Sequence, residues 1–278
     1  MIQAATRRAG VLGSPIGHSL SPTLHTAAYE ALGLTGWTYQ AYEVTEPDLA
    51  DFLAGVDGSW AGLSLTMPLK AAVLPLLDGS SPVVEAVAAA NTVLLTDGRR
   101  LGENTDVPGM VASLAAHDVR VVPHATVLGG GATARSALAA LAGVTGSATA
   151  YVRSSSRRPG LTATAEAVGL SLQVRPWSAA AEALGAPLVV NTTTAGAADP
   201  LVAHVPRPVG TLLEVLYDPW PTPLAAAWGA RGGLVVDGLD LLVHQAVLQV
   251  GLMTGAEVDV PGLVDLLRAA GERALRSR

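Results

Sequence analysis

The sequence predicts an α/β protein of two domains, the second of them a Rossmann-type, doubly wound sheet, and three observations support this fold class. The chain of 278 residues is half hydrophobic and 14% charged, so it can form the cores of two modest domains. Short apolar runs alternate with helical segments, as in parallel βαβ units. Residues 125–131, ATVLGGG, join a strand to consecutive glycines just before a segment of strong helix formers.

In the first third of the chain, strands and helices alternate and then give way to a hairpin. Ser21 and Pro22 supply an N-cap and a first-turn proline for the first helix, and Ser81-Pro82 repeats this signature. The turn Asp97-Gly98 lies between two short strand-like runs and predicts a local hairpin. We predict strands at 11–14, 37–44, 60–65, 92–96 and 100–101 and helices at 21–32 and 47–56.

The rest of the chain repeats the strand-helix alternation and ends in helices. Asn104-Thr105-Asp106 consists of three good capping residues and can simply cap a helix at 110–116. After the glycines we predict a helix at 132–141, strands at 148–152, 170–174, 187–190, 210–216 and 234–236, and helices beyond Asp237, the last at about 261–274. This order of elements is typical of a doubly wound parallel sheet.

Composition and charge argue against several classes of function. The chain has no cysteine, which excludes disulfides, thiolate catalysis and cysteine-bound metals and fits a reducing cytoplasm. A formal net charge of −6 gives no global basic field for nucleic acid or anionic lipid. We find no signal peptide and no run of about 18 apolar residues, so we expect a soluble, cytoplasmic protein. We also find no G-x-S-x-G, H-E-x-x-H or compact His/carboxylate cluster, and therefore expect neither a hydrolase nor a metal site.

The glycine-rich segment has the form of a dinucleotide-binding loop, G-x-G-x-x-A. We expect a tight turn at Gly129, close approach of the backbone to a pyrophosphate at Gly131, and helix-to-strand packing at Ala134. Backbone amides at the start of the following helix would face the anion. The alternative is an ordinary strand-to-helix loop. The predicted cofactor-binding residues of this loop are Gly129, Gly130, Gly131, Ala132, Thr133 and Ala134.

Arginines follow the next predicted strand, where an NAD site would carry an acidic residue about 20 residues beyond the glycines. The chain instead has Arg153, Ser154, Arg157 and Arg158 in this region. Guanidinium groups suit a 2′-phosphate, because their forked donors bind a doubly charged anion. The sequence therefore favours NADP over NAD. The alternative interpretation is a solvated basic loop.

Lys70 is the only lysine in the chain, and arginine supplies every other basic side chain apart from histidine. Arginine keeps its proton in proteins, so a reaction that passes a proton at neutral pH needs an amine instead. Lys70 lies just beyond a predicted strand, where ligand clefts of α/β proteins form. The alternative is a chance survivor in an arginine-rich sequence. His18 and His25 are interpreted as ordinary surface or packed imidazoles.

Dispersed motifs resemble the shikimate dehydrogenase family in their order along nearly the whole chain. They are GSPIGHSLSP (13–22), LTMPLK (65–70), AANT (89–92), NTD (104–106), LGGGATAR (128–135), VRSSSR (152–157), EVLYDPWPTPL (214–224) and DGLDLLVHQA (237–246). The resemblance implies a substrate-binding catalytic domain at 1–107, completed by C-terminal helices at 239–278. It also implies an NADP-binding Rossmann-type domain at 108–238.

The resemblance further assigns roles to the matching residues. Lys70 and Asp106 match the catalytic pair. The family's substrate-binding positions fall on Ser19 and Ser21 for the substrate carboxylate, Asn91 for a ring hydroxyl, and Thr66, Tyr217 and Gln245. Arg153, Ser154 and Arg157 match the element that binds the 2′-phosphate of NADP. Gly238 and Leu241 complete the implied cofactor-binding residues, with Leu241 at the nicotinamide pocket.

The implied reaction is the reversible, NADPH-dependent reduction of 3-dehydroshikimate to shikimate in chorismate and aromatic amino-acid biosynthesis. The chain departs from the family pattern at Val152, Ser64, Glu214 and Ala132, where members carry asparagine, asparagine, aspartate and glycine. The Ser64 exchange could alter selectivity among related polyols. Quinate/shikimate or aminoshikimate dehydrogenase on the same scaffold, or a non-catalytic NADPH-binding protein, are the alternatives. We expect a small-molecule substrate, no nucleic acid or membrane partner, and a monomer or homodimer.

Overall fold

The computed structural model describes residues 7–259 and 262–278. The chain forms two compact units, each built around a six-stranded sheet. The first unit contains the chain up to Glu85, Ala89–Thr105 and Leu242–Arg278, and the second contains Ala86–Ala88 and Asp106–Leu241. The predicted fold class, two α/β domains of which the second is Rossmann-type, is confirmed.

The first unit contains a mixed sheet in the strand order β2-β1-β3-β5-β6-β4. Its strands are β1 (Arg7–Gly13), β2 (Trp37–Glu43), β3 (Trp60–Leu65), β4 (Gly79–Ser80), β5 (Thr92–Thr96) and β6 (Arg99–Glu103). Its helices before residue 88 are α1 (Ser21–Ala31), α2 (Leu49–Ala54), α3 (Leu69–Ala72), the short 3-10 segment Leu74–Leu76, and α4 (Pro82–Val87). β1 pairs in parallel with β2 and β3, whereas β5 pairs antiparallel with β3 and β6.

The second unit contains an all-parallel sheet in the order β12-β11-β10-β7-β8-β9. Its strands are β7 (Ala125–Leu128), β8 (Ser147–Val152), β9 (Ser171–Pro176), β10 (Leu188–Asn191), β11 (Thr211–Glu214) and β12 (Leu234–Val236). Its helices are α5 (Asp106–Ala116), α6 (Ala132–Leu141), α7 (Arg158–Ala167) and α8 (Pro223–Gly229), with 3-10 segments at Ser155–Arg157, Trp177–Gly185 and Asp199–His204. The strand order reverses between β7 and β10, which is where doubly wound sheets bind ligands.

Two C-terminal helices follow the second sheet. α9 (Gly238–Thr254) begins in the second unit and continues into the first, and α10 (Leu263–Arg276) packs on α1. The predicted start of the last helix at residue 261 lies outside the described residues. None of the helices in the described part of the chain combines the length and hydropathy that a membrane span requires.

Local chemistry explains where several elements begin and turn. Asp97 and Gly98 both have positive φ, +53° and +73°, which a two-residue type I′ hairpin turn requires. The predicted hairpin is thus confirmed. The prediction of Ser21 as an N-cap is wrong, since α1 begins at Ser21 and Leu20 occupies the capping position without a side-chain hydrogen bond. The hydroxyl of Ser19 instead accepts a hydrogen bond from the Ser21 amide at 3.2 Å.

The start of α5 also differs from the prediction. The helix begins at Asp106, four residues before the predicted start, so Pro108 and Gly109 lie within its first turn. Proline is compatible with this position because the first amides of a helix have no intrahelical acceptor. Asp106 is therefore part of the helix and does not precede it.

β3 lies at the centre of the sheet of the first unit, and all of its residues are buried. A Cβ at Gly62 would lie 2.7 Å from Cγ of Met253, so glycine is what allows α9 to approach this strand closely. The close approach brings the polar residues of α9 next to the carboxyl end of β3. The candidate site of the first unit lies there.

Candidate active site

The predicted residues of the first unit follow the carboxyl ends of its parallel strands. Ser19 and Ser21 come after β1, and Thr66 and Lys70 come after β3. The Thr66 amide donates to the carbonyl of Leu12 at 2.9 Å, and the Ala90 amide donates to the carbonyl of Lys70 at 2.8 Å. These backbone bonds hold the segment that carries Lys70 against the segment that carries Asn91.

Asn91 is fixed by hydrogen bonds on both sides of its carboxamide. It is 2% exposed, and its Oδ1 accepts from the Thr105 amide at 2.8 Å and from the Thr92 hydroxyl at 2.9 Å. Its Nδ2 donates to Oγ1 of Thr105 at 2.9 Å and to Oε1 of Gln245 at 3.4 Å. The structure thus brings together two of the predicted substrate ligands, Asn91 and Gln245, and adds Thr105, for which the sequence suggested only helix capping.

The neighbouring residues complete the predicted N-T-D motif. Asn104 donates to the carbonyl of Ala89 at 2.9 Å, so it holds the segment that precedes Asn91 in place. Asp106 follows directly, is 5% exposed, and begins α5 in the second unit.

The second predicted pair, Ser19 and Ser21, lies at the start of α1. Ser21 is buried, and its side chain interacts with the hydroxyl of Tyr39. The Tyr39 hydroxyl donates to Oγ of Ser64 at 2.6 Å. Burial raises the pKa of Tyr39 far above its ordinary value, so this phenol stays neutral. Ser19 is half-buried beside the Ser21 amide.

In the second unit, the glycine loop lies at the reversal of strand order, directly after β7. Gly129 has φ +121°, and a Cβ there would collide with Oγ1 of Thr192 after β10. Only glycine suits that conformation and contact. A Cβ at Gly131 would meet no atom of the described chain within 4 Å, and Ala134 is fully buried. A tight turn, an accessible backbone at the helix start and close helix packing together fit a dinucleotide pyrophosphate.

The arginine loop packs against the glycine loop. A Cβ at Gly130 would lie 2.9 Å from both Cβ of Arg157 and Cγ1 of Val152, so the end of β8 and the arginine loop directly adjoin the glycines. The hydroxyl of Ser154 accepts from the Ser156 amide at 3.3 Å and caps the short 3-10 turn that carries Arg157. Arg153 and Arg157 are both exposed. These residues fit the 2′-phosphate of NADP, which needs solvent-facing cationic donors near the end of the second strand.

Arg135 is a further arginine of this region, and the sequence interpretation gave it no role. Burial, and secondarily the charge of Arg157, lowers its pKa. Its Nε donates to the carbonyl of Val87 at 2.6 Å, and its second amino group donates to the carbonyl of Ala88 at 2.9 Å. Its position directly after the G-x-G-x-x-A motif is the sequence feature that could have indicated a role for it.

A buried carboxyl supports the segment that carries Tyr217. Glu214 is completely buried and accepts hydrogen bonds from Asn191 at 2.8 Å, Thr222 at 3.0 Å and the Leu216 amide at 3.3 Å. Burial raises the pKa of Glu214, and these hydrogen bonds oppose that rise. Glu214 thereby fixes both ends of the segment containing Tyr217.

The start of α9 packs closely on the same segment. A Cβ at Gly238 would collide with the backbone of Val215 and Leu216, which explains the glycine. Leu241 is 7% exposed and belongs to the hydrophobic core of the second unit.

No group of three His, Cys, Asp or Glu residues suited to a metal ion occurs within residues 7–259 and 262–278.

Comparison with known proteins relates the whole chain to one family. The sequence model of the shikimate dehydrogenase substrate-binding domain matches residues 11–93. The shikimate dehydrogenase (NADP⁺) of Thermus thermophilus is 35% identical over 267 residues, covering 95% of this chain and 98% of the relative. That of Geobacter metallireducens is 35% identical over 278 residues, covering 95% and 96%.

Solved structures give the same relationship. The crystal structure of Mycobacterium tuberculosis shikimate dehydrogenase has a TM-score of 0.86 and 37% identity, covering 96% of this chain and 99% of that one. The Thermus thermophilus enzyme in complex with NADP(H) and shikimate has a TM-score of 0.82 and 35% identity, covering 97% and 100%.

Proposed function

Because the chain belongs to the shikimate dehydrogenase family, we propose that it reduces the ketone of 3-dehydroshikimate with NADPH and catalyses the reverse oxidation of shikimate. The family resemblance of the sequence motifs is confirmed by relatives that share 35% identity over 95% of the chain. The observation that carries the proposal is the joint fixation of Lys70 and Asn91, whose segments are linked by the bond from the Ala90 amide to the Lys70 carbonyl. The residue proposed to transfer the proton and the residue proposed to bind a ring hydroxyl therefore lie on segments whose backbones are hydrogen-bonded to each other.

The first unit supplies the groups that a carboxylated polyol needs. Ser19 and Ser21 donate hydrogen bonds to the substrate carboxylate, and Thr66, Asn91 and Gln245 bind ring hydroxyls. Tyr217, a residue of the second unit, is proposed as a further substrate contact. Buried carboxamides whose orientation is set by internal hydrogen bonds present their remaining hydrogen-bonding capacity in fixed directions. They therefore select hydroxyl positions on the ring, since a substrate with its hydroxyl elsewhere would lose these contacts.

The second unit supplies the cofactor site. NADPH, when bound, donates the hydride that reduces the substrate ketone. The backbone of residues 129–134 and the N-terminus of α6 hold the pyrophosphate, and Arg153, Ser154 and Arg157 hold the 2′-phosphate. Gly238 and Leu241 are assigned to the nicotinamide end.

Proton transfer belongs to Lys70 and Asp106. Hydride addition turns the ketone oxygen into an alkoxide, which the Lys70 ammonium stabilises and protonates. In shikimate oxidation the neutral amine takes the hydroxyl proton. Asp106, which matches the second residue of the family's catalytic pair, is proposed to share this acid-base role.

Initial-rate measurements with shikimate, quinate and aminoshikimate, each with NADP and NAD, test this function. We expect the highest kcat/KM for shikimate with NADP. A higher value for quinate or aminoshikimate would establish the related dehydrogenase activity instead. Binding of NADPH without turnover of any of the three would establish a non-catalytic binding protein.

Two accompanying predictions concern the protein in its cell. We expect a cytoplasmic enzyme, because its proposed substrate and cofactor are metabolites of that compartment. We expect a monomer or a homodimer, which size-exclusion chromatography with light scattering distinguishes.

A further inference from the structure

A buried glutamine on α9 contacts the candidate substrate site from behind. Gln249 lies one helical turn after Gln245 and is 1% exposed. Its Nε2 donates to the carbonyl of Asn91 at 3.2 Å and to Oγ1 of Thr92 at 2.9 Å. Its Oε1 accepts from the Ser64 hydroxyl at 2.8 Å and from Nε2 of His25 at 3.3 Å. Both ends of the carboxamide are therefore engaged.

The orientation of this carboxamide follows from its partners. The backbone carbonyl of Asn91 can only accept a hydrogen bond, so Nε2 must face it and Oε1 must face Ser64. Thr92 accepts from Gln249 and so directs its own proton to Oδ1 of Asn91, at 2.9 Å. Together with the Thr105 amide, at 2.8 Å, this proton holds Oδ1 of Asn91 as an acceptor, and Nδ2 is turned toward Thr105 and Gln245.

A second branch of hydrogen bonds leads from Gln249 to the start of α1. Since Ser64 gives its proton to Gln249, it can receive one from Tyr39, at 2.6 Å. The Ser21 side chain also interacts with the Tyr39 hydroxyl and opposes the rise of its pKa. One continuous set of polar contacts thus connects Ser21, proposed for the substrate carboxylate, to Asn91 and Gln245, proposed for the ring hydroxyls.

The network stays uncharged at neutral pH. His25 is fully buried and stacks on Tyr39 with ring centroids 3.8 Å apart. Burial lowers the pKa of His25 to about 3, so the imidazole is neutral and Nε2 carries the proton that faces Gln249. A neutral, fully directed network fixes donor and acceptor positions without changing the electrostatics of the site.

We propose that Gln249 is a positioning residue for substrate recognition. Acting with the Thr105 amide, it supports the carboxamide orientation of Asn91 through Thr92, and it supports Ser21 through Ser64 and Tyr39, without touching the substrate. The inference rests on the proposed function and deepens it, because it names the residue that prepares the polyol-binding groups before substrate arrives.

Two substitutions at this position test the proposal. Gln249→Glu keeps the size but replaces the amino donor with an acceptor, so it breaks the bonds to Asn91 and Thr92. Gln249→Leu removes both branches. We expect each variant to raise KM for shikimate by about tenfold or more, because misplaced polar ligands lose their hydrogen bonds to substrate. KM for NADP should stay within about twofold, since substrate ligands contribute little to cofactor binding.

Two further variants separate positioning from loss of stability. Met253→Ala, one turn further along α9, removes packing against Gly62 without touching the network, and should lower the melting temperature but leave KM for shikimate unchanged. Tyr39→Phe deletes only the hydroxyl that joins Ser64 to Ser21, and should raise KM for shikimate less than the Gln249 variants do. It also remains informative if Gln249→Leu fails to fold.

The outcomes distinguish this inference from the proposed function. A wild-type chain that does not turn over shikimate contradicts the function itself. An active wild type, with Gln249→Glu and Tyr39→Phe both retaining the wild-type KM for shikimate, contradicts the positioning role alone. An equal rise of KM for shikimate and NADP in the Gln249 variants, matched by Met253→Ala, would also overturn it.

Discussion

Lysine and arginine differ in the property that the proposed reaction requires at position 70. An arginine keeps its proton throughout, whereas a lysine amine can release and regain one when its surroundings lower its pKa. The backbone of Lys70 is bonded to Ala90, next to Asn91, so the amine is carried on a segment fixed to the predicted hydroxyl-binding group. We propose that the only lysine of this arginine-rich chain is the residue that exchanges the proton.

Replacing this lysine tests the proton-transfer role directly. We predict that Lys70→Ala and Lys70→Arg both lower kcat by about 10² to 10⁴, the usual contribution of acid-base catalysis, with smaller changes in KM for shikimate. Steady-state rates with NADP and shikimate measure this. Lys70→Arg preserves the charge and is the matched control, so near-normal kcat in that variant would remove Lys70 from proton transfer.

The arginine loop permits a similar test of cofactor selection. We predict that Arg153→Ala combined with Arg157→Ala raises KM for NADP by about tenfold or more, because each lost charge-assisted contact to a phosphate weakens binding. The weak use of NAD should change little. Arg158→Ala, an equally exposed neighbour, is the matched control. Equal losses with both dinucleotides would contradict a 2′-phosphate site.

At the scale of the elements, α1, β2 and α9 meet around one buried imidazole. His25 on α1 stacks on Tyr39 of β2 and donates to Gln249 of α9. Its Nδ1 is buried without a hydrogen-bond partner. The neutral ring fits this packing, whereas a protonated ring would place a charge in an apolar core.

This packing predicts a pH dependence of stability. The pKa of His25 falls from 6.5 to about 3 on burial. Below about pH 6.5, His25 therefore binds a proton in the unfolded chain but stays neutral in the folded chain. The stability that the folded state gains from a neutral His25 is present above that pH and is lost as the pH falls toward 3. We expect this residue to lower the free energy of unfolding by about 2 kcal/mol between pH 7 and pH 5.

Urea unfolding at pH 7 and pH 5 measures the effect. His25→Phe, which keeps a stacked ring, should flatten the difference between the two pH values even if it lowers stability at both. His204→Gln, at an exposed site, should retain the wild-type difference. An unchanged pH dependence in His25→Phe would mean that His25 is protonated in the folded protein or that another group dominates.

Strand and hairpin positions followed from local sequence because burial and turn chemistry determine them. β3 was predicted at its observed bounds, since a central strand buried on both faces is a continuous apolar run. The start of α5 was missed because Pro108-Gly109 resembles a helix breaker in sequence, yet a first turn accommodates proline. Ser21 resembled a cap, but the chain turns into the helix one residue earlier, at Leu20.

At the scale of the whole molecule, each unit has its own sheet, its own core and its own candidate ligand site. The order of motifs along the chain does not reveal which side chains are in contact. In the sequence, Gln249 resembles any other residue of an apolar helix. The positioning role proposed for it depends on its contact with Asn91, which lies 158 residues away in the sequence. The glycine and arginine loops were predictable because their function requires a local pattern after a strand.

Separate ligand sites predict separate patterns of hydrogen exchange. With NADP alone, amides of residues 129–135 and 152–157 should be protected. With shikimate alone, the amides of residues 89–92 and 104–105 should be protected from exchange. At a ligand concentration of 100 times Kd, the exchange rate of amides that exchange only after the ligand dissociates should fall about 100-fold. NAD should protect the arginine loop less than NADP does. Protection of residues 89–92 by NADP but not by shikimate would contradict the assignment of the two sites.

A crystal structure of the chain with NADP and shikimate tests the central claim most directly. We predict that the Lys70 amine lies about 3 Å from the hydroxyl that is oxidised, the distance that proton transfer requires. The carboxamides of Asn91 and Gln245 should bind neighbouring ring hydroxyls. Shikimate bound away from Asn91, or a Lys70 amine directed into solvent beside a bound ring, would contradict the account.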